Sequence, residues 1–281
     1  MGLECRYRRS TGTKWPGSLR VIVAACFSIL LASRVGVLSS PVLFALPSTD
    51  KAASAVQQDV DIVRRAVSTD SAARPDQADV LGAILRLQRT KTELNSQKQF
   101  LAELTGGGKA GGKRWKLVYL ATKDAVISTR KRQSPPSWLD RGWYVDGFVT
   151  AVQRFEDSSA KRINQNGVFE FLGLGGFFFG YFARFKWPSP EKRTTLGFQP
   201  VTNNVRAFGL DWAEPFADGF PAGKDGDSQF EKARLQDLNI FNFLYVDEHA
   251  AVAQGASGSI ALWGETDAAW DAEHLIDVPE A

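Results

Sequence analysis

The fold is decided near the C-terminus, by the stretch LNIFNFLYVDEHAAVAQGASGSIALWG at residues 238–264. Its first part alternates between two apolar sets: the rings Phe241, Phe243 and Tyr245 on one side, and the aliphatic Leu238, Ile240, Leu244 and Val246 on the other. Period-two alternation rich in aromatic and β-branched residues predicts a strand that is buried on both faces. Two turns rich in polar residues or glycine then separate two shorter strands. We therefore expect a β-meander that completes an antiparallel sheet.

The other strands of this sheet are expected between residues 114 and 210. The pattern predicts a first strand at 114–121, RWKLVYLA, and the most apolar strand at 177–187, FFFGYFARFKW. About eight or nine short strands follow one another across polar turns, without alternating helices. This pattern indicates a mainly β (α+β) fold in which an antiparallel sheet closes into a barrel after N-terminal helices. A barrel of about eight strands either fills with side chains or holds one small ligand.

The aromatic residues favour a ligand-binding barrel. The chain contains 19 Phe, 8 Trp and 5 Tyr, and they concentrate on the predicted strands. We expect one set to face inward and line a cavity: Trp115, Leu117, Tyr119, Phe177, Phe179, Tyr181, Phe185, Trp187, Phe241, Phe243 and Tyr245. Wide, flat side chains around a water-poor cavity suit an apolar ligand that is bound by burial at about 25 cal/mol per Å². The competing prediction is a solid core, with Ile240, Leu244 and Val246 facing inward instead.

Residues 51–105 are predicted to form a helical arm ahead of the barrel at 114–264. A stripe with helical spacing is formed by Val56, Val60, Val63 and Val67. Asp76 is the expected cap of a second helix, in which one set of residues lines one side of a polar rod: Val80, Ile84, Leu87, Leu94, Leu101 and Leu104. We expect this arm to pack on the sheet.

Three further segments are predicted to lie outside the regular elements. Residues 106–113 form a glycine-rich linker, because their G-x-x-x-x-G-K spacing lacks the following Ser or Thr and precedes a strand, unlike a phosphate-binding loop. Residues 211–237 are interrupted by Pro and Gly and are expected to be an irregular loop, either disordered or a lid. Residues 265–281 form an acidic, mostly solvated tail.

Charge and composition exclude several classes of function. Residues 1–50 contain six of the 34 Lys and Arg but only two of the 31 Asp and Glu, so the rest of the chain is close to neutral and unsuited to nucleic acid. Both cysteines lie in the same N-terminal region, and the two histidines, His249 and His274, are far apart in sequence. We therefore predict no catalytic residue, no metal site and no cofactor. The basic run 129–136, with Arg130, Lys131 and Arg132, is either solvated or in contact with anionic lipid headgroups.

Residues 245–248, YVDE, and 252–255, VAQG, resemble the C-terminal signature of the plastid lipid-associated proteins, the fibrillins. The strand at 114–121 and the region 167–173 support this resemblance, which covers residues 76–264 without the 211–237 insertion. The resemblance implies a lipocalin-like barrel that binds or sequesters a hydrophobic small molecule, such as a prenyl quinone, carotenoid or acyl lipid. It also implies a place in plastids, at thylakoids or on the lipid globules called plastoglobules.

The N-terminal 50 residues agree with a plastid address. A basic stretch precedes the apolar run VIVAACFSILLA at 21–32, and an acid-free segment rich in small and hydroxyl residues follows at 34–48. This order resembles the bipartite presequences of algae whose plastids lie inside extra membranes, and it predicts a cleaved transit segment. The alternative is a tilted membrane anchor at 21–46, in which Arg34 and Pro41 would be costly.

Two other functions fit the sequence. The chain could be a structural coat protein of lipid globules, without an internal ligand site. Alternatively, it could be a barrel enzyme that acts on an isoprenoid, with carboxylates such as Glu170 or Asp247 as acid and base, although no sequence motif pairs them. We predict that the chain is not an enzyme.

Overall fold

The computed structural model describes residues 49–90, 97–107, 112–134, 141–145, 149–157, 162–171, 177–186, 194–207, 210–215, 220–221 and 223–266. Its α-helices are α1 (Thr49–Ala66), α2 (Gln77–Thr90), α3 (Gln97–Thr105), α4 (Lys123–Lys131) and α5 (Lys224–Lys232), with 3₁₀ turns at Ser71–Ala73 and Leu235–Asp237. Residues 1–48, to which the presequence prediction applies, lie outside the described residues, as does nearly all of the acidic tail.

The strands are β1 (Lys113–Ala121), β2 (Gly142–Tyr144), β3 (Val149–Asp157), β4 (Arg162–Phe171), β5 (Phe177–Lys186), β6 (Thr195–Ala207), β7 (Leu210–Pro215), β8 (Asn239–Val246), β9 (Ala250–Gly255) and β10 (Ile260–Glu265). They form one antiparallel sheet in the order β10-β9-β8-β6-β5-β4-β3-β1-β2, and β7 pairs with β6. Strand β1 also pairs with β10. The predicted antiparallel sheet and its C-terminal meander, β8-β9-β10, are confirmed.

Helices α1 and α2, which their apolar stripes predict, pack on each other. Val63 is fully buried, and the Asp76 carboxylate caps α2 by accepting the N–H of Ala78 at 2.8 Å. Between the helices, Arg86 donates to both carboxylate oxygens of Asp59, with Nη2 at 2.7 Å from Oδ1 and Nε at 3.1 Å from Oδ2. This bidentate pair fixes the two helices in one register.

The buried residues divide into two clusters on opposite faces of the sheet. The first, which we call the aromatic cluster, consists of Phe100, Leu104, Trp115, Leu117, Val145, Ala151, Phe155, Tyr181, Ala183, Phe185, Leu196, Phe198, Phe241, Phe243, Val246, Ala251, Ala253, Ala261 and Trp263. The second, which we call the helical cluster, joins α1, α2 and α4 to the sheet through Val63, Ala66, Val80, Leu81, Ala83, Ile84, Leu85, Leu87, Tyr119, Ala121, Ala125, Val126, Leu244, Tyr245, Ala250, Val252, Ile260 and Leu262.

Two β-bulges interrupt the period-two pattern of the strands. In β1 the register against β10 shifts between Leu117 and Tyr119, and in β8 the register against β9 shifts between Phe243 and Tyr245. Each bulge inserts one extra residue, so the side chains beyond it change face. Tyr119 and Tyr245 therefore lie in the helical cluster, and the prediction that they share a face with the residues preceding them is wrong.

The predicted helical rod is also wrong in one respect. Leu104 of α3 lies in the aromatic cluster, whereas Val80 and Ile84 of α2 lie in the helical cluster. Helix α3 instead packs against β3 and β8, which are not neighbours in the sheet. The two helices therefore cover different faces rather than extending one stripe.

Residues 211–237 are more regular than predicted. They include most of β7, which pairs with β6, and all of α5. Helix α5 is fastened to β5 by Lys186, whose Nζ donates to the carbonyl oxygens of Glu231 at 2.7 Å and Ala233 at 3.0 Å near the end of the helix. A cation is favourable there because the last carbonyls of a helix have no partner within it. The prediction of an irregular loop throughout this segment is wrong.

Candidate functional site

The aromatic cluster is built on a continuous series of ring contacts. Phe241 stacks on Phe198 with the ring centroids 4.7 Å apart, and Tyr181 lies parallel to Phe198 at 6.4 Å. Phe243 contacts Phe241 and Phe155 edge to face at 6.3 and 6.0 Å. Such offset and edge-to-face contacts add about 0.5–1.5 kcal/mol per pair beyond the burial of apolar area. The rings therefore connect β3 to β8, which is not its neighbour in the sheet, through side chains.

Helix α3 contributes two side chains to the same cluster. Phe100 meets Phe243 edge to face, with ring centroids 5.7 Å apart, and Leu104 is fully buried. The indole Nε1 of Trp115 donates to the Leu104 carbonyl oxygen at 2.9 Å. Because that carbonyl lies in the last turn of α3, the bond satisfies one of the helix's terminal acceptors while it holds the helix on the cluster.

The structure brings six of the predicted cavity residues together in the aromatic cluster: Trp115, Leu117, Tyr181, Phe185, Phe241 and Phe243. Tyr119 and Tyr245 lie on the other face. The backbones of Phe177 and Phe179 lie in β5, opposite Ala207 and Val205 of β6, and Trp187 lies outside the described residues. Neither predicted alternative for β8 holds throughout, because Phe241, Phe243 and Val246 share a face and Leu244 joins Tyr245 on the other.

Sequence reasoning missed several residues of this cluster. Phe155 and Phe198 lie centrally in the ring series, and Trp263 of β10 is 2 % exposed. The charged residues on either side of Phe155 could have identified it, whereas Trp263 lies between Leu262 and Gly264 and has no such signal. The cluster also contains small residues, whose position opposite the rings depends on strand register: Ala151, Ala183, Ala251, Ala253 and Ala261.

Gln153 is a polar side chain on the aromatic face. Gln153 of β3 lies between Ala151 and Phe155, which both belong to the aromatic cluster, and its partner across β1 is Trp115. Residues directly opposite each other on neighbouring strands project to the same side of a sheet. Gln153 is 2 % exposed, and within the described part of the chain its Nε2 has no acceptor within hydrogen-bond distance. A buried amide donor in this position is costly unless something accepts its hydrogen bond.

On the helical side, two tyrosine hydroxyls are paired. The Tyr119 hydroxyl donates to the Gln77 carbonyl oxygen, and the Tyr144 hydroxyl donates to that of Pro75, both at 2.9 Å. Tyr119 also packs against Gly142, where an added Cβ would lie 1.5 Å from the tyrosine oxygen. Burial raises the pKa of the Tyr119 hydroxyl above its ordinary value, so it acts as a neutral donor.

The turn after β8 is organised by Asp247, a residue of the YVDE segment. Its carboxylate accepts hydrogen bonds from the Tyr245 hydroxyl at 2.5 Å, from Arg64 Nε at 2.7 Å, and from the backbone N–H groups of His249 and Ala250. Burial acts to raise the pKa of Asp247, but these four hydrogen bonds outweigh it and lower the pKa below the ordinary value. Asp247 therefore connects α1 to the hairpin as an ionised carboxylate.

This geometry bears on the acid–base prediction. Asp247 is fully engaged in the turn, and Glu170 is placed by its backbone in β4, opposite Thr150. His249 lies on the surface, with its Nδ1 at 3.8 Å from Glu265 Oε2, and His274 is outside the described residues. Among the described residues, no group of three His, Cys, Asp or Glu side chains is placed to hold a metal ion.

The predicted membrane-contact residues lie at the end of helix α4. Arg130 and Lys131 belong to the last turn of α4, and Arg132 ends it with φ at 54°. All three side chains are exposed, and Arg130 also donates from Nη2 to Gln88 Oε1 at 2.7 Å. Within the residues described, no helix combines the length and apolar character needed to cross a membrane.

Comparison of the chain with protein-family models and with curated proteins gives no match. The resemblance to the fibrillins therefore stays a prediction from the quoted residues.

Proposed function

We propose that the chain binds or sequesters an apolar small molecule, of the prenyl quinone, carotenoid or acyl-lipid kind, on the aromatic face of its sheet. The observation that carries the proposal is the aromatic cluster itself, in which rings from β1, β3, β5, β6, β8 and β10 converge with five alanines. Burial on such a face at about 25 cal/mol per Å² supplies the driving force for an apolar ligand.

We also propose that the antiparallel sheet closes into a lipocalin-like barrel. Strand β1 pairs with both β3 and β10, so the path of pairings through β10, β9, β8, β6, β5, β4 and β3 returns to β1. Helix α3 packs against β3 and β8, and a helix that covers one end of a barrel reaches non-adjacent strands in this way. A closed sheet with these pairings has about eight strands, the size that accommodates one small ligand.

Space for a ligand is expected where the small residues lie. Ala253 of β9 and Ala261 of β10 are directly opposite each other, and Ala253 is also the partner of Phe243 across β8. Ala151 and Ala183 project from β3 and β5 on the same face. Alanines at these positions take up less space beside the rings than leucines would.

We further propose a plastid setting, at thylakoids or plastoglobules. The support is the resemblance of residues 245–255 to the fibrillins together with the transit-like composition of residues 1–50. Exposed Lys131 and Arg132 at the end of α4 are suited to anionic headgroups at a membrane or globule surface.

The test is uptake of diphenylhexatriene, a hydrocarbon that fluoresces in apolar surroundings, by the full chain. We expect saturation near one dye per chain. Ala253→Leu should weaken uptake about tenfold, because about 1.4 kcal/mol of lost contact or overpacking strain corresponds to that factor. The matched control is Ala121→Leu, a buried strand alanine in the helical cluster, which should retain uptake. Equal uptake by both variants contradicts the proposal, and so does a folded wild type that takes up neither this hydrocarbon nor an apolar dye with a carbonyl group.

The second candidate, a coat protein on lipid globules, is favoured specifically by the exposed Lys131 and Arg132. Flotation with anionic lipid droplets separates the two functions. A chain that floats, takes up no dye, and loses flotation in the Lys131→Glu/Arg132→Glu variant is a coat protein. A chain that takes up dye irrespective of these charges is a carrier.

A further inference from the structure

The amide of Gln153 identifies a polar contact on the aromatic face. Its two neighbours along β3 on that face, Ala151 and Phe155, are buried in the aromatic cluster, and so is Trp115, its partner across β1. Gln153 is 2 % exposed, so solvent does not hydrate its amide. A glutamine carries two N–H donors and one carbonyl acceptor, and each of these costs free energy when it is buried without a partner.

Across β1, the polar groups nearest to Gln153 are already used elsewhere. The indole N–H of Trp115 donates to the Leu104 carbonyl oxygen at 2.9 Å. The ammonium group of Lys113 lies over the Trp115 ring at 4.4 Å from its centroid and donates to the Glu248 carbonyl oxygen. Within the described residues, Gln153 Nε2 has no acceptor in reach. What is missing at this point is therefore a hydrogen-bond acceptor.

We infer that Gln153 donates a hydrogen bond to a carbonyl oxygen of the bound ligand. This rests on the proposed function and narrows it, because the ligand is then an apolar molecule that carries a ketone, quinone or ester carbonyl. A pure hydrocarbon leaves the amide unpaired, and a site with a buried polar group discriminates against a ligand that cannot satisfy it. Among the proposed ligands, prenyl quinones and acyl lipids meet this requirement, and hydrocarbon carotenoids do not.

The same arrangement has a consequence for the protein without ligand. Replacement of an unsatisfied buried amide by an apolar side chain of similar shape removes the cost of burying it. Gln153→Leu should therefore raise the melting temperature of the ligand-free chain, by about 2–4 °C for a stabilisation of roughly 1 kcal/mol.

The experiment compares two fluorescent probes on the full chain and on its Gln153→Leu variant. Laurdan carries a ketone whose emission shifts to the red when it accepts a hydrogen bond, and diphenylhexatriene carries no polar group. We expect the variant to bind laurdan about two- to tenfold more weakly, with blue-shifted emission, because it loses one hydrogen bond. Diphenylhexatriene should bind the variant at least as well as it binds the wild type.

The matched control is Gln199→Leu. Gln199 of β6 is also buried, but it lies opposite Arg184 of β5. Its side chain projects to the other face of the sheet from the ring of its neighbour Phe198. This variant should leave laurdan affinity and emission unchanged. Competition against laurdan by a decyl benzoquinone and by a fatty-acid methyl ester then shows which carbonyl source the site prefers.

Different results would contradict the proposed function and the proposed role of Gln153. If the folded wild type takes up neither probe, the proposed function falls and the inference falls with it. If wild type and Gln153→Leu bind laurdan with the same affinity and emission, the inference is wrong while uptake of both probes leaves the proposed function standing. A lower melting temperature for Gln153→Leu would show that the amide has a partner in the ligand-free protein, and would also overturn the inference.

Discussion

The two buried faces of the sheet differ in how their polar groups are satisfied. On the helical side, the hydroxyls of Tyr119, Tyr144 and Tyr245 each donate to an acceptor supplied by the chain. On the aromatic side, Gln153 is equally buried, and in the described part of the chain its Nε2 has no acceptor. The three tyrosine hydroxyls thus belong to an interface between sheet and helices in which the chain supplies their acceptors. A face with an unpaired donor among rings and alanines is suited to a further molecule.

The largest expected effect is a loss of stability on both faces of the sheet, with a loss of dye binding on only one. Phe243→Ala removes a ring that contacts Phe100, Phe155 and Phe241, and should lower the free energy of unfolding by about 3–5 kcal/mol. Leu262→Ala in the helical cluster should cost a similar amount, about 2–5 kcal/mol, because Leu262 is fully buried. Urea unfolding measures both losses. Only the first variant should lose uptake of diphenylhexatriene, and loss of uptake in both would remove the distinction between the faces.

The next effect concerns Asp247 and depends on pH. Asp247→Asn should reduce the free energy of unfolding at neutral pH by about 1–3 kcal/mol, because it removes the charged partner of Arg64 and Tyr245. The folded-state pKa of Asp247 is lowered from the ordinary value of 3.8. Its contribution is therefore complete above about pH 4 and is lost as the pH falls through the folded-state pKa.

Urea titrations at a series of pH values measure this dependence. The difference in stability between wild type and Asp247→Asn should shrink towards zero on acidification. A difference that stays constant down to the acid limit would show that the carboxylate charge does not stabilise the turn.

The smallest effect has opposite signs on the two faces. Tyr119→Phe deletes a hydroxyl that donates to Gln77 and should destabilise the chain by about 0.5–1.5 kcal/mol. Gln153→Leu deletes an unpaired amide and should stabilise the ligand-free chain by about 1 kcal/mol. Thermal unfolding of both variants under one set of conditions tests the comparison. Two changes of the same sign would contradict it.

The sequence predicts the elements that depend on local pattern. The stripe at Val56, Val60 and Val63 predicts α1, and Asp76 predicts the start of α2. The alternation in the C-terminal stretch predicts the meander, because one residue in two faces each side of a strand. These features are confirmed since each is set by residues a few positions apart.

Features set by pairing between distant strands could not be predicted. A bulge adds one residue to a strand without changing its composition, so nothing in FNFLYV shows that Tyr245 leaves the face of Phe243. The position of Gln153 opposite Trp115 could not be predicted either, because it depends on which residues of β1 and β3 pair with each other. The location of α3 on the aromatic cluster likewise depends on contacts with β3 and β8 rather than on its own apolar stripe.

A crystal structure of the full chain with bound laurdan tests the central claim most directly. The account predicts the naphthalene ring among Trp115, Phe198 and Phe243, with the ketone oxygen at about 2.7–3.2 Å from Gln153 Nε2. A dye bound outside the aromatic cluster, or a Gln153 amide hydrogen-bonded to another part of the chain, would contradict it.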